Sequence, residues 1–163
     1  MSLKKVILWI VALIAIDLLI KEIIYRYFFD VSFDIIPSLL EFYPKFNTQY
    51  SYLNVLLNSH YNVNIGLIWH ILFILVMQVV IISIYNYWKK KNHTKLLDFA
   101  LIFFEAGYIS AFISYFLKNG CLDYIYLKPL FIFDLKDVYL NCFSFLFPVY
   151  VLKTIIKWKT KPQ

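Results

Sequence analysis

The chain has 163 residues, 62% of them hydrophobic and 21% aromatic, with a mean hydropathy of +0.69. A soluble domain is about 45–50% apolar, so the excess must face lipid, and the length suits one small helical bundle rather than two domains. The 16 Lys+Arg against 10 Asp+Glu give a formal net charge of +6. The basic residues cluster beside apolar runs, which reads as a membrane-topology signal and not as a nucleic-acid surface.

A membrane-spanning helix needs about 20 apolar residues, and four stretches reach that length. The first, Val6–Phe28, is interrupted by Asp17, Lys21 and Glu22. It is too long for a cleaved signal peptide, Asp17 breaks the apolar region such a peptide needs, and no small-residue cleavage site follows. It is therefore read as a permanent helix. Lys21 follows Asp17 by one turn on the same face. Such a pair either holds the helix in the bundle or grips a polar group of a lipid or peptide.

The next segment, Phe29–Asn64, is too long for a simple connector and is rich in Phe, Tyr, Ile and Leu. That composition predicts partly extended or interfacial structure with rings at headgroup level, and strand is expected between Phe46 and Val55. The second span is Ile65–Tyr87, with His70 and Gln78 as its notable polar residues. The third is Leu96–Leu117, with Asp98 and a Glu105 that has no evident partner in sequence. The fourth, Val138–Trp158, starts directly after Asp137.

Lysine clusters set the expected topology. Lys4 and Lys5 precede the first span. Lys89, Lys90, Lys91 and Lys95 separate the second from the third. Lys153, Lys157, Lys159 and Lys161 close the chain. An even number of spans puts all three clusters on one side, which the positive-inside rule makes cytoplasmic. The expectation is an all-α membrane protein: one integral domain over 1–163, four transmembrane helices, both termini cytoplasmic. The segment 29–64 and the loop 118–136 then lie outside, and Asp123 and Asp137 share that outer face.

A carboxylate pair at a membrane surface is costly to desolvate and points to use. Each member also has an ordinary explanation: Asp123 as a turn residue after Asn119-Gly120, Asp137 as a helix N-cap. As a pair they support general acid–base hydrolysis. One ionised aspartate takes a proton from water, while the other, kept protonated by apolar surroundings, donates to the scissile carbonyl or leaving amine. This chemistry needs no covalent intermediate, no metal and no other cofactor. His60, His70 and His93 are too scattered to suggest a zinc site. Cys142 is read as a buried apolar filler and Cys121 as a loop residue.

Three motifs resemble the lipoprotein signal peptidase (signal peptidase II) family of bacterial membrane aspartic proteases. Asp17-Leu18-Leu19-Ile20-Lys21 matches the family's first-helix Asp-x-x-x-Lys. Gly120-Cys121-Leu122-Asp123-Tyr124 looks like its Gly-x-Val-Val-Asp-Phe, shortened by one residue. Phe133-Asp134-Leu135-Lys136-Asp137 is similar to the Phe-Asn-hydrophobic-Ala-Asp that opens its last helix. The resemblance implies a small β-cradle resting on the outer membrane surface and a catalytic dyad of Asp123 and Asp137. It also implies substrate contacts at Asp17, Lys21, Asn47 and Asp134. The implied partners are a lipid-modified prolipoprotein or its signal peptide, and membrane lipid, at the bacterial inner membrane. The chain departs from the pattern at Ser110-Ala111-Phe112-Ile113-Ser114-Tyr115, where the family has Gly-Asn-x-x-Asp-Arg, and at Lys136, where it has Ala. The family's Asn-x-Gly motif has two candidates, Asn47 by distance and Asn64 by its following Gly66. A lysine beside Asp137 either lowers that carboxyl's pKa or snorkels to the headgroups. A lysine locked onto Asp137 favours a binding protein without catalysis; carboxylates within reach of each other favour the enzyme.

Overall fold

A computed structural model describes residues 1–49, 52–117 and 120–159. Tyr50, Lys118, Asn119 and Lys161, used in the sequence reading, lie outside the described residues. In chain order the elements are α1 (Leu3–Ile23), β1 (Phe33–Ile36), β2 (Leu40–Asn47), α2 (Tyr52–Tyr61), α3 (Leu67–Asn92), α4 (Lys95–Leu117), β3 (Cys121–Leu127), β4 (Phe131–Phe133) and α5 (Leu135–Lys159). A single wider π-helical turn, Ile24–Phe28, continues α1.

Among the described residues, three helices are long and apolar enough to cross a membrane: α3, α4 and α5. The first helix has the length, but Lys4, Lys5, Asp17, Lys21 and Glu22 interrupt its apolar run. Within its apolar window α4 is 56% buried, against 17% each for α3 and α5. It is therefore the axis of the bundle, with the others packed around it. The outward faces of α3 and α5 carry Ile68, Trp69, Phe73, Val79, Phe145 and Ile156, all exposed. In water that surface would be costly; in lipid it is the expected solvent face.

The four strands form one antiparallel sheet in the order β1-β2-β3-β4. Strand was expected between Phe46 and Val55. It lies instead at Phe33–Ile36 and Leu40–Asn47, and the stretch after it coils into α2. The stretch 121–133, read as a loop, supplies the other two strands. Tyr124, Ile125 and Tyr126 have the β-branched and aromatic character that suits a pleated surface, and β3 pairs with a strand about 80 residues earlier in the chain. The pairing runs from Leu40↔Leu127 to Asn47↔Cys121, with a register break between Phe42 and Lys45. Pro44 lies within that break; it has no N–H for the ladder, so an interior strand accommodates it only where pairing is interrupted.

The two cysteines exchange their expected roles. Cys121 is buried in β3 and Cys142 is only half-buried on α5. Ile74, Ala111, Tyr115 and Cys121 form one core cluster where the bundle meets the sheet. Ile24, Leu122 and Tyr124 form another beneath the sheet.

Gly120 makes the sheet's last register possible. Its φ of +148° lies in the region that favours glycine, and a Cβ there would come within 2.6 Å of the Asn47 carbonyl oxygen. Substituting Gly120→Ala forces β2 and β3 apart at Asn47 and costs about 1–3 kcal/mol. Thermal unfolding in detergent is expected to show a lowered midpoint; an unchanged midpoint refutes this account of Gly120.

Candidate active site

Helix α5 begins earlier than the hydropathy of the sequence suggests, and the reason is a cap. The Asp137 backbone N–H donates to Asp134 Oδ1 (3.2 Å), and the Asp134 N–H donates to Asp137 Oδ2 (3.2 Å). This is a reciprocal capping box, with Asp134 at the N-cap and Asp137 three residues in. The N-cap expected at Asp137 thus belongs to Asp134. Both carboxylates lie at the positive end of the α5 dipole, which favours them there.

Asp123 comes from β3, opposite Lys45 of β2. Asn47, two residues beyond Lys45, lies on the same face of the sheet. Its Nδ2 donates to Asp123 Oδ2 at 3.1 Å. The Gln49 backbone N–H donates to Asn47 Oδ1 at 3.0 Å, which fixes the amide's orientation. Asn64, the other candidate, accepts from Asn54 Nδ2 instead (3.1 Å). Buried Asn54 also bonds both the N–H and the carbonyl of Ile65, tying α2 to the start of α3.

Sequence reading missed the centre of the site. Carboxylate oxygens of Asp123, Asp134 and Asp137 lie within 4.8 Å of one another. The Lys136 ammonium sits among them, 3.0 Å from Asp123 Oδ1, 2.9 Å from Asp134 Oδ1 and 3.2 Å from Asp137 Oδ2. It stands where a cation would. Lys136 is 5% exposed, so the snorkelling orientation does not occur. A lysine in the first turn of a helix opposes the dipole; three carboxylates offset that cost.

The charges continue into the bundle. Asp134 Oδ2 lies 2.8 Å from Lys21 Nζ, and Lys21 lies 2.7 Å from Asp17 Oδ2. The four charged groups Asp17, Lys21, Asp134 and Lys136 therefore alternate in sign, ending at Asp123 and Asp137. Lys21 Nζ also donates to Ser114 Oγ at 3.4 Å. In the third-helix motif Ser114 reaches this network through that bond, while Ala111 and Tyr115 pack into the core. Glu105, left unassigned from sequence, is hydrogen-bonded to Gln78 and links α4 to α3. The histidines lie on separate elements, His70 bonded to the Gly66 carbonyl and His93 to Asp98.

Burial pushes the Asp123 carboxyl above the usual range, although Lys136 and Asn47 pull it down. Burial raises Asp134 too, but there the Lys136 and Lys21 ammonium groups outweigh it and hold the carboxyl below its ordinary value. Burial pushes the Cys121 thiol up to about 12, so it stays neutral and is no nucleophile. Full ionisation of Asp17, Asp123, Asp134 and Asp137 against Lys21 and Lys136 would leave an excess of two buried negative charges. One proton held within the cluster halves that excess.

A cavity of about 590 Å³ opens beside the pair, lined by Asn47, Asp123, Lys136, Asp137, Phe131 and Leu140 among others. A second cavity of about 400 Å³ lies on the far side of Phe46, walled by Leu18, Leu19 and Leu122 with Lys21 and Ser114.

Apolar helices, a small antiparallel sheet and clustered carboxylates at their junction describe a membrane protein of the aspartic-peptidase class. The model of the Signal peptidase (SPase) II family matches residues 9–153, and the chain belongs to that family. Two similar solved structures share the fold. One is a bacterial membrane enzyme determined by the in meso method at 2.3 Å resolution, with a TM-score of 0.70 at 21% identity over 99% of this chain and 95% of the other. The second, a bacterial membrane enzyme at 1.9 Å resolution, gives a TM-score of 0.69 at 21% identity over 93% and 94%. Comparison with curated proteins finds no match.

Removing the bridging carboxylate takes one partner from each of two buried ammonium groups and the N-cap from α5. Asp134→Ala is expected to destabilise the protein by about 3–5 kcal/mol, read by denaturant or thermal unfolding. Asp34→Ala, which breaks an exposed pair with Lys128 (2.6 Å), is expected to leave stability unchanged. Equal effects of the two substitutions would overturn the assigned importance of the buried ladder.

Proposed function

We propose that the chain is an aspartic endopeptidase of the signal peptidase II type that cuts the signal peptides of lipid-modified bacterial prolipoproteins. It works in the inner membrane with four spans, α1 being the fourth, and with both termini cytoplasmic. The observation that carries this reading is the approach of Asp123 and Asp137 to within 4.8 Å beside a cavity large enough for a peptide segment. The exposed apolar residues of the sheet, Phe33, Ile35, Ile36, Leu39 and Leu130, suit a surface resting at headgroup level. A substrate whose acyl chains stay in lipid then reaches the cavity laterally.

In this mechanism Asp123 and Asp137 hold one proton between them. The ionised member takes a proton from a water poised at the scissile carbonyl. The protonated member donates to the carbonyl oxygen and, on collapse, to the leaving amine. Asn47 orients Asp123, and the capping box orients Asp137. Asp17, Lys21 and Asp134 hold the charge balance behind them, with Lys21 at the wall of the second cavity.

Purified protein is expected to cleave a lipidated prolipoprotein, and Asp123→Asn or Asp137→Asn to reduce the rate about 10²–10⁴-fold. Both substitutions keep the side chain's size, and Asp137→Asn keeps an oxygen for the cap. Cleavage that persists in both variants removes the dyad assignment. A second reading has its own observation: Lys136 lies 3.2 Å from Asp137 and 3.0 Å from Asp123, which suits a relative that binds lipoprotein, signal peptide or lipid without cutting. Lipopeptide binding with no turnover by the wild type would select it.

A further inference from the structure

We propose that Lys136 is a built-in counter-ion of the dyad: a positioning residue whose ammonium keeps the carboxylate cluster at a single shared proton and holds Asp123 and Asp137 at working distance. The role rests on the aspartic-peptidase reading for its consequence in catalysis, but its electrostatic part stands on the geometry alone.

The argument starts from orientation. A lysine at the start of a membrane helix has an easy alternative, since its long stem can carry the ammonium out to water or headgroups. Here it turns inward, is 5% exposed, and reaches carboxylates from two separate parts of the chain, Asp123 on β3 and the pair Asp134 and Asp137 that caps α5. Desolvating an ammonium is expensive unless its bonds are met, and three carboxylate oxygens match its three N–H donors. The close packing around it is specific as well. A Cβ on Gly107 of α4 would lie 3.1 Å from the Lys136 carbonyl and 2.7 Å from the Leu140 side chain, so a glycine on the central helix lets this turn of α5 approach.

Two like charges at this separation resist joint ionisation, and the usual remedy is to keep a proton. Without Lys136, Asp123, Asp134 and Asp137 would face each other with only Lys21 nearby, and more than one of them would have to be protonated. With Lys136 among them and Lys21 on Asp134, these three carboxylates carry one uncompensated negative charge, so a single proton suffices for them and one carboxylate stays available as a base. The other titratable groups around Lys136 are Asp17 and Lys21 from α1, Tyr115 from α4, Cys121 from β3 and Lys45 at the cavity wall. Lys21 is shared between Asp17 and Asp134, Lys45 is exposed and the Cys121 thiol is neutral, so none of these replaces the buried Lys136 charge.

The test compares the full-length protein in detergent with Lys136→Gln, which keeps donors without charge, and Lys136→Arg, which keeps the charge. Two readouts are taken over pH: prolipoprotein cleavage and the infrared C=O band of protonated carboxyl groups. In Lys136→Gln the acid limb of kcat/KM and the carboxyl band are expected to move upward by about 1–3 pH units; in Lys136→Arg both stay near the wild-type position. If Lys136→Gln does not fold, Asp134→Asn and Asp134→Asn with Lys136→Gln carry the same comparison with one charge fewer of each sign. A uniform loss of rate with neither limb nor band displaced means that Lys136 is only a packing residue, and the proposal fails. A band displaced in Lys136→Gln while the wild type cuts nothing sinks the peptidase reading and leaves the counter-ion intact.

Discussion

An alternating row of buried charges, Asp17–Lys21–Asp134–Lys136, organises this protein, with Asp123 and Asp137 at its end. Each ion is too buried to rely on water, so each must find its opposite within the fold. Lys21 joins α1 to the cap of α5 through a 2.8 Å contact with Asp134, and Lys136 joins that cap to β3 through a 3.0 Å contact with Asp123. Three elements distant in sequence are thereby fixed at one point. A buried ion pair seldom adds net stability compared with apolar packing, so its value here is in placement: this register of the three elements gives both lysines their carboxylates.

The backbone accommodates that row at a few sites. Gly120 lets β3 start against the Asn47 carbonyl, which sets Asn47 beside Asp123. Gly107 lets the first turns of α5 close on α4. The capping box uses two of the site's own carboxylates, so Asp134 and Asp137 serve the helix and the cluster at once. The ordinary explanation of Asp137 as a helix-start residue and its explanation as a site residue are therefore not rivals. One geometry provides both, because the same orphan N–H groups that need a cap also hold the carboxylate in place.

Membership of the signal peptidase II family gives the carboxylate pair a chemistry, and the departures from the family's pattern show how this chain adapts it. The third helix carries Ser114 and Tyr115 where Asp and Arg stand in the family's pattern, and positive charge reaches the cluster from Lys136 at the start of α5 instead. The price is a lysine held against a helix dipole, which only a cluster of acids makes tolerable.

The sequence by itself determined the helical stretches, because hydropathy over about 20 residues is a local property. It also determined the Asp17–Lys21 pair, whose spacing of four puts both on one helix face. It singled out Asp123 and Asp137 as well, since acids beside apolar runs stand out without any knowledge of the fold. Tertiary structure decided what depends on distant neighbours. The run 121–133 became strands because β2 supplied an edge for it, and the segment after Asn47 became a helix once the sheet had taken its strands from elsewhere. Asn47 rather than Asn64 reaches Asp123 because β2 and β3 pair antiparallel up to Cys121. Lys136 turns inward because carboxylates from β3 and from its own cap converge on it. A lysine's direction is set by the free energy of its whole surroundings, and no pattern along the chain records that sum.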